Sequence, residues 1–203
     1  MQGYPNEGLS VVYMSAIDIT FSEDVDSVTG GDAGPPPIAA ARLLSARRRL
    51  EEALAAALAE LLPLSRRFTV TVDDPDNAEL ARALRWVADS PVTPDEASAQ
   101  LGVTVPEADL PGWVSAWPVR SRDPQGATTF FFAHPGTPAA ELAVDLADWL
   151  QTTLADAWIS DPAPPCPGHP YPMRPAVHNA TPWWKCPAGG PVRPWRQARP
   201  TTG

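Results

Sequence analysis

Two cysteines and three histidines carry most of the metal-binding and nucleophilic chemistry open to this chain. Four of them fall between positions 166 and 186: Cys166-Pro-Gly-His169, then His178, then Cys186-Pro-Ala-Gly189. Thiolate sulfur and imidazole nitrogen are the donors that tetrahedral zinc prefers, and four of them close a structural site. Each cysteine is followed by proline and then, within three residues, by glycine, the composition of a tight turn. The spacing therefore offers one structural zinc held by Cys166, His169, His178 and Cys186. Two other readings of the same residues stand beside it: bystanders on an extended proline-rich arm, and a Cys166–Cys186 disulfide under oxidising conditions. Asp161 is the one acid from 161 to 203, so a zinc here lacks a nearby general base, and a structural role is favoured over catalysis.

The fragments CPGH (166–169) and KCPAGG (185–190) resemble the two knuckles of a degenerate zinc ribbon. The resemblance covers only about residues 166–189. It departs from the ribbon pattern at Gly189, which stands where a second ligand belongs and offers none, so His178 would have to serve. Similar tails, with Cys-Pro-Gly-His and a closing Trp-x-Cys-Pro, occur in uncharacterised actinobacterial proteins. One Lys against fourteen Arg, with abundant Ala and Pro, fits a GC-rich coding source such as an actinobacterium or its phages. The resemblance implies a structural metal and names no activity.

Around these ligands lie Trp183, Trp184 and Trp195, among Lys185, Arg193, Arg196 and Arg199. Aromatics interleaved with cations can stack nucleic-acid bases. They can equally dock on an acidic surface, within the chain or on a protein partner. Residues 161–203 carry a net +4, which leaves −13 on residues 1–160 out of a total of −9. So acidic a body disfavours broad contact with a phosphate backbone. Trp183, Trp184, Trp195, Arg193 and Arg196 are thus read first as partner-binding residues for protein, with nucleic acid as the alternative.

The elements that must position these residues are legible from periodicity. Residues 11–21 alternate, with Tyr13, Ile17, Ile19 and Phe21 on one face, which predicts a half-buried strand. Glu23, Asp24, Asp26 and Asp32 follow with no EF-hand spacing and read as a solvated loop. Leu43, Leu50, Leu54, Leu58 and Leu61 predict a helix over 38–62 stopped by Pro63, with Arg47–Arg49 on its solvated face beside Glu51 and Glu52. Residues 67–73 read as a strand. Helices are predicted from the capping boxes at Asp76–Glu79 and Thr93–Glu96. Residues 113–121 and 127–133 predict a hairpin around Asp123-Pro-Gln-Gly126, with Phe130, Phe131 and Phe132 placing a central strand covered on both sides. A last helix runs from Thr137-Pro138 to about Trp158.

Strands and helices without regular βαβ alternation predict an α+β fold, a mostly antiparallel four-stranded sheet packed on helices as a two-layer sandwich. In this scheme residues 1–35 supply a strand and an acidic loop to the main domain, 36–160 its core, and 161–203 a proline-rich tail. The 26 prolines cluster outside the core.

No run of about 18 apolar residues is present, so no helical membrane span is expected. The first residues lack the basic and apolar regions of a secretory signal, and a cytoplasmic protein with reduced thiols is expected. Residues 93–104 begin like a helix-turn-helix, but an acidic, proline-bounded segment stands where the recognition helix belongs. There is no P-loop, no G-x-G-x-x-G and no G-x-S-x-G elbow. His134 is a weak candidate for a general base. The chain therefore reads as a non-enzymatic interaction or accessory protein, with its oligomeric state left open.

Overall fold

Leucine and alanine at helical spacing bury one side of the long helix α1 (Leu44–Glu60), through Ala46, Leu50, Leu54 and Ala57. The computed structural model describes residues 40–90, 93–157, 159 and 163–196. The strand expected at 11–21, the acidic residues 23–32, Trp158, Asp161 and Arg199 lie outside the described residues. Among the described residues the fold is α+β, with five α-helices and two three-stranded antiparallel sheets.

The first sheet is built from β1 (Thr69–Val72), β2 (Trp117–Arg122) and β3 (Thr128–Ala133), in the order β1-β2-β3. Trp117, Val119 and Ser121 alternate into the core from the central strand β2, while Pro118, Arg120 and Arg122 face outward. Between β1 and β2 come α2 (Asn77–Asp89), α3 (Pro94–Leu101) and the single turn α4 (Leu110–Val114). Asp76 caps α2 by accepting from Glu79 N at 2.8 Å. Thr93 and Glu96 close the capping box that starts α3, whose end is set by Gly102 at φ 65°. The helix α5 (Ala139–Asp156) packs beside α1 and buries Leu142, Leu146, Leu150 and Leu154.

Two expectations about strands are corrected. The sheet is not one four-stranded sheet: three of the four expected strands pair here, and residues 174–194 fold into a second sheet of their own. Second, β3 is an edge strand among the described residues, with Phe130 57% and Phe132 61% exposed. Only Phe131 turns inward, stacked on Trp149 with ring centroids 5.8 Å apart. Alternation along a strand shows which residues share a face, and it says nothing of how many neighbours the strand has.

The second sheet is β4 (Arg174–His178), β5 (Thr181–Lys185) and β6 (Pro191–Pro194). Proline lacks the ladder donor, which made this segment read as a tail. Its prolines are placed where that lack costs little. Pro175 lies on the edge strand β4, and Pro191 and Pro194 begin and end the edge strand β6. Pro182, on the central strand, uses its carbonyl to accept from Trp195 N at 3.1 Å. Asn179 and Ala180, at φ 50° and 56°, form the two-residue turn between β4 and β5, the left-handed pair that a type I′ hairpin requires.

This second sheet is packed against the ends of both long helices. Trp184 is fully buried and stacks on buried Trp195 at 5.3 Å. Trp184 Nε1 donates to Glu60 Oε2 at the end of α1. On α5, Gln151 Nε2 donates to the carbonyls of Ala163 (2.6 Å) and Met173 (2.8 Å). Met173, Cys166, Cys186, Trp184 and Trp195 belong to the same buried apolar cluster as the leucines of α1 and α5.

Candidate metal centre and the sheet that carries it

Both cysteines open a reverse turn. In the first, Pro167 and Gly168 occupy the central positions, Gly168 at φ 77°, and His169 N donates to Cys166 O at 3.2 Å. A proline followed by a left-handed residue is a type II turn, which glycine alone adopts without strain. In the second, Pro187 and Ala188 are central and Gly189 N donates to Cys186 O at 3.1 Å. A bridge between Pro165 and Pro172 closes the first loop at its base, and Lys185 and Cys186 lead directly out of β5 into the second.

The two turns bring Cys166 Sγ, His169 and Cys186 Sγ together, with all three ligand atoms within 4.8 Å of one another. His169 Nδ1 lies 3.4 Å from each sulfur. A tetrahedral zinc with its usual bonds to sulfur and nitrogen would set that edge at about 3.6 Å, so the two S–N separations fit a shared ion. The donor set, two thiolates and one imidazole, suits zinc. The His169 ring stacks on Tyr171 with centroids 5.0 Å apart and 8° between planes, which holds its orientation. Both cysteines are buried and His169 is exposed, so the group lies at the surface with its sulfurs inward. Burial and the adjacent Cys186 push the Cys166 thiol above its ordinary range. A cation between the sulfurs would reverse that effect by stabilising thiolate.

His178 lies apart from this group, at the far end of β4. It is exposed, meets the Trp183 ring edge-on at 5.1 Å, and has Nε2 3.4 Å from Asn179 Nδ2. Among the described residues three protein ligands therefore converge, none of them a carboxylate.

The aromatic and cationic residues divide by face. Trp184 and Trp195 point into the core, and Arg193 Nη1 pairs with Glu60 Oε2 at 2.9 Å. Arg196 is exposed in its side chain while its backbone N–H donates to Glu60 Oε1. Trp183 is half-buried on the opposite face from Trp184, its Nε1 donating to Thr181 Oγ1 at 3.0 Å. The register adds a feature the sequence reading missed: Arg174 and Lys185 are cross-strand partners, both exposed. Directly opposed residues on antiparallel strands share a face, and like charges there repel. Neither has an ion-pair partner among the described residues. Only the turn at Asn179-Ala180 fixes this pairing, so composition alone could not single it out.

His134 stands near Glu79 and Arg82. Burial, ahead of the opposing charge of Glu79, depresses its imidazole below the ordinary range. The nearby apolar cavity, about 200 Å³, is lined by Trp86, Val87, Leu110, Trp113 and Gly136, and His134 is not among its lining residues. No helix among the described residues is long and apolar enough to cross a membrane. Compared with known proteins, the chain matches no family model, no curated protein and no solved structure.

Proposed function

We propose that the chain is a non-enzymatic interaction protein that binds an acidic segment of a protein partner on the outward face of β4 and β5, with one structural zinc at Cys166, His169 and Cys186 pinning the end of that face. The observation that carries the reading is the exposed Arg174–Lys185 pair. Two opposed cations that no carboxylate neutralises among the described residues cost stability in the sheet, and an anionic ligand removes that cost. Trp183, one strand position pair further on, adds an aromatic surface of the kind enriched at interfaces. Trp184 and Trp195 serve this function indirectly, by fastening the sheet to α1. Within the metal group no side chain stands ready as a base, which supports a structural ion over a catalytic one.

The −13 carried by residues 1–160 favours a peptide over a nucleic acid, since a phosphate backbone extending past the sheet would meet a repelling body. The test is fluorescence anisotropy of a labelled glutamate-rich peptide and, separately, a labelled oligothymidylate, each titrated with the full chain at low and moderate salt. Peptide binding that disappears in Arg174→Glu/Lys185→Glu supports the reading. Oligothymidylate binding with the same loss transfers the face to the nucleic-acid alternative. Binding of neither ligand at low salt removes the proposal.

A further inference from the structure

We infer that the metal at Cys166, His169 and Cys186 keeps a fourth, exchangeable coordination position beside Gly189, taken by a nitrogen or sulfur donor from outside the chain. The inference rests on the metal reading above and deepens it. The Cys186-Pro-Ala-Gly189 turn repeats the backbone bond of Cys166-Pro-Gly-His169, so Gly189 occupies the place that His169 fills with a ligand. A Cβ built on Gly189 would lie 3.8 Å from both Cβ and Sγ of Cys186, ordinary contact, and apart from its chain neighbours would meet no other atom within 4 Å. A side chain at this position would thus start beside the ion, and glycine leaves that corner of the tetrahedron to another donor. His178 does not reach it, being at the opposite end of the β4–β5 hairpin. His169 and Gly189 are both exposed, so the corner faces solvent.

Three protein ligands and one open position are the arrangement in which zinc accepts water or an incoming group, whereas a closed structural site has four ligands of its own. Lys185 of the cationic pair immediately precedes the ligand Cys186 in the chain, so the two features lie within one residue of backbone of each other. A histidine or cysteine carried next to acidic residues in a partner would engage both at once. That adds a coordinate bond to a surface whose charges alone give modest affinity.

Cobalt(II) substitution of the full chain reads the fourth position directly, because its visible spectrum responds to coordination. The wild type, Gly189→Cys, Gly189→Ala and Cys166→Ser/Cys186→Ser are loaded with one equivalent of cobalt and titrated with imidazole. The expected result is a visible cobalt band in the wild type that shifts saturably with imidazole. Gly189→Ala behaves the same way, which shows that added bulk is not the cause. In Gly189→Cys the thiolate-to-cobalt absorption grows by about half, as three thiolates replace two, and imidazole no longer alters the spectrum. A wild-type band that ignores imidazole overturns the open position while leaving the metal site standing. No cobalt band in the wild type, or an unchanged band in the double serine variant, removes the metal reading and this inference with it.

Discussion

The Glu60 carboxylate, at the last turn of α1, accepts a 2.7 Å hydrogen bond from Trp184 Nε1 across 124 residues of sequence. The same carboxylate pairs with Arg193 at 2.9 Å and accepts the backbone N–H of Arg196. Glu60 is only 6% exposed. One buried acid thus satisfies three donors of the segment that carries the candidate site, and apolar packing of Trp184 and Trp195 surrounds it. The chemistry of the C-terminal sheet depends on this attachment, since β5 carries exposed Lys185 of the cationic pair and leads straight into the buried ligand Cys186.

Glu60→Ala leaves the Trp184 indole N–H, the Arg193 guanidinium and the Arg196 amide without their acceptor. Breaking a buried charge pair by removing one partner costs about 3–5 kcal/mol. Part of this is relieved because Arg193 retains some exposure, so a loss of about 3 kcal/mol is expected. Glu60→Gln keeps an acceptor oxygen and should lose about half as much. Urea unfolding followed by tryptophan fluorescence measures both. A Glu60→Ala variant within about 0.5 kcal/mol of wild type would show that the carboxylate is not what holds the sheet.

Gln151 makes the complementary attachment on α5, its amide donating to Ala163 O and Met173 O. Gln151→Glu places carboxylate oxygens against two carbonyls that need donors. The expected cost is about 2 kcal/mol, the penalty of leaving buried acceptors unpaired with a repelling neighbour. Hydrogen exchange gives the sharper readout: faster exchange in β4 and β5 with α1 and α2 unchanged. Uniformly faster exchange across the chain would mean that the sheet and the helices unfold as one unit.

The sequence made the first sheet and its helices legible because those elements follow simple periods. The stripes ending at Leu61 and Leu154, the capping boxes at Asp76 and Thr93 and the hairpin at 123–126 correspond to observed α1, α5, α2, α3 and the β2–β3 turn. The single turn α4 is missed by periodicity: Pro111 and Gly112 look like breakers, and Trp113 and Val114, its last two residues, look like the start of the strand expected over 113–121. Arg47 and Arg49 were read as solvated. They reach back instead, Arg47 to Val72 O and Asp74, Arg49 to Thr137 O, over the Trp117 and Trp113 rings. The C-terminal sheet was illegible for a different reason. Its stability comes from contacts with Glu60 and Gln151, far away in sequence, and its prolines hide the strand pattern. For the candidate site, Cys166, His169 and Cys186 were legible from the repeated Cys-Pro turns. The position of His178 depended on a hairpin register that no local pattern encodes.

That hairpin carries visible strain. Ala180 holds φ at 56°, a left-handed conformation that costs an L-residue about 1 kcal/mol, whereas glycine adopts it freely. Ala180→Gly produces the Asn-Gly pair that type I′ turns favour. It is expected to stabilise the protein by about 0.5–1 kcal/mol, after the extra entropy of glycine in the unfolded chain is set against the relieved strain. Ala180→Val, with a branched side chain in the same conformation, should destabilise by more than that. Thermal unfolding of the pair decides the matter, and equal stabilities for all three chains would show that the turn relaxes without cost.

Acid stability should depend on Glu79. Burial acts to raise its pKa, but hydrogen bonds from Arg82 and from Ala116 N, at 2.6 Å each, together with the charges of Arg82 and His134, bring it below the ordinary glutamate value. A carboxylate whose folded pKa is depressed adds stability that is present above its unfolded value. That stability is lost as pH falls through the folded one. The sign is fixed because the unfolded chain binds the proton first on acidification, drawing the equilibrium toward unfolding. Glu79→Gln removes the titrating group while keeping an acceptor for Ala116 N. Stability at neutral pH should drop by about 1 kcal/mol, the difference between a charged and a neutral acceptor. Below about pH 4.5 the variant and wild-type curves should converge, as the wild-type carboxylate takes up its proton. Urea midpoints collected from pH 7 to pH 3 test this. Parallel curves over that whole range would place the origin of acid sensitivity elsewhere in the chain.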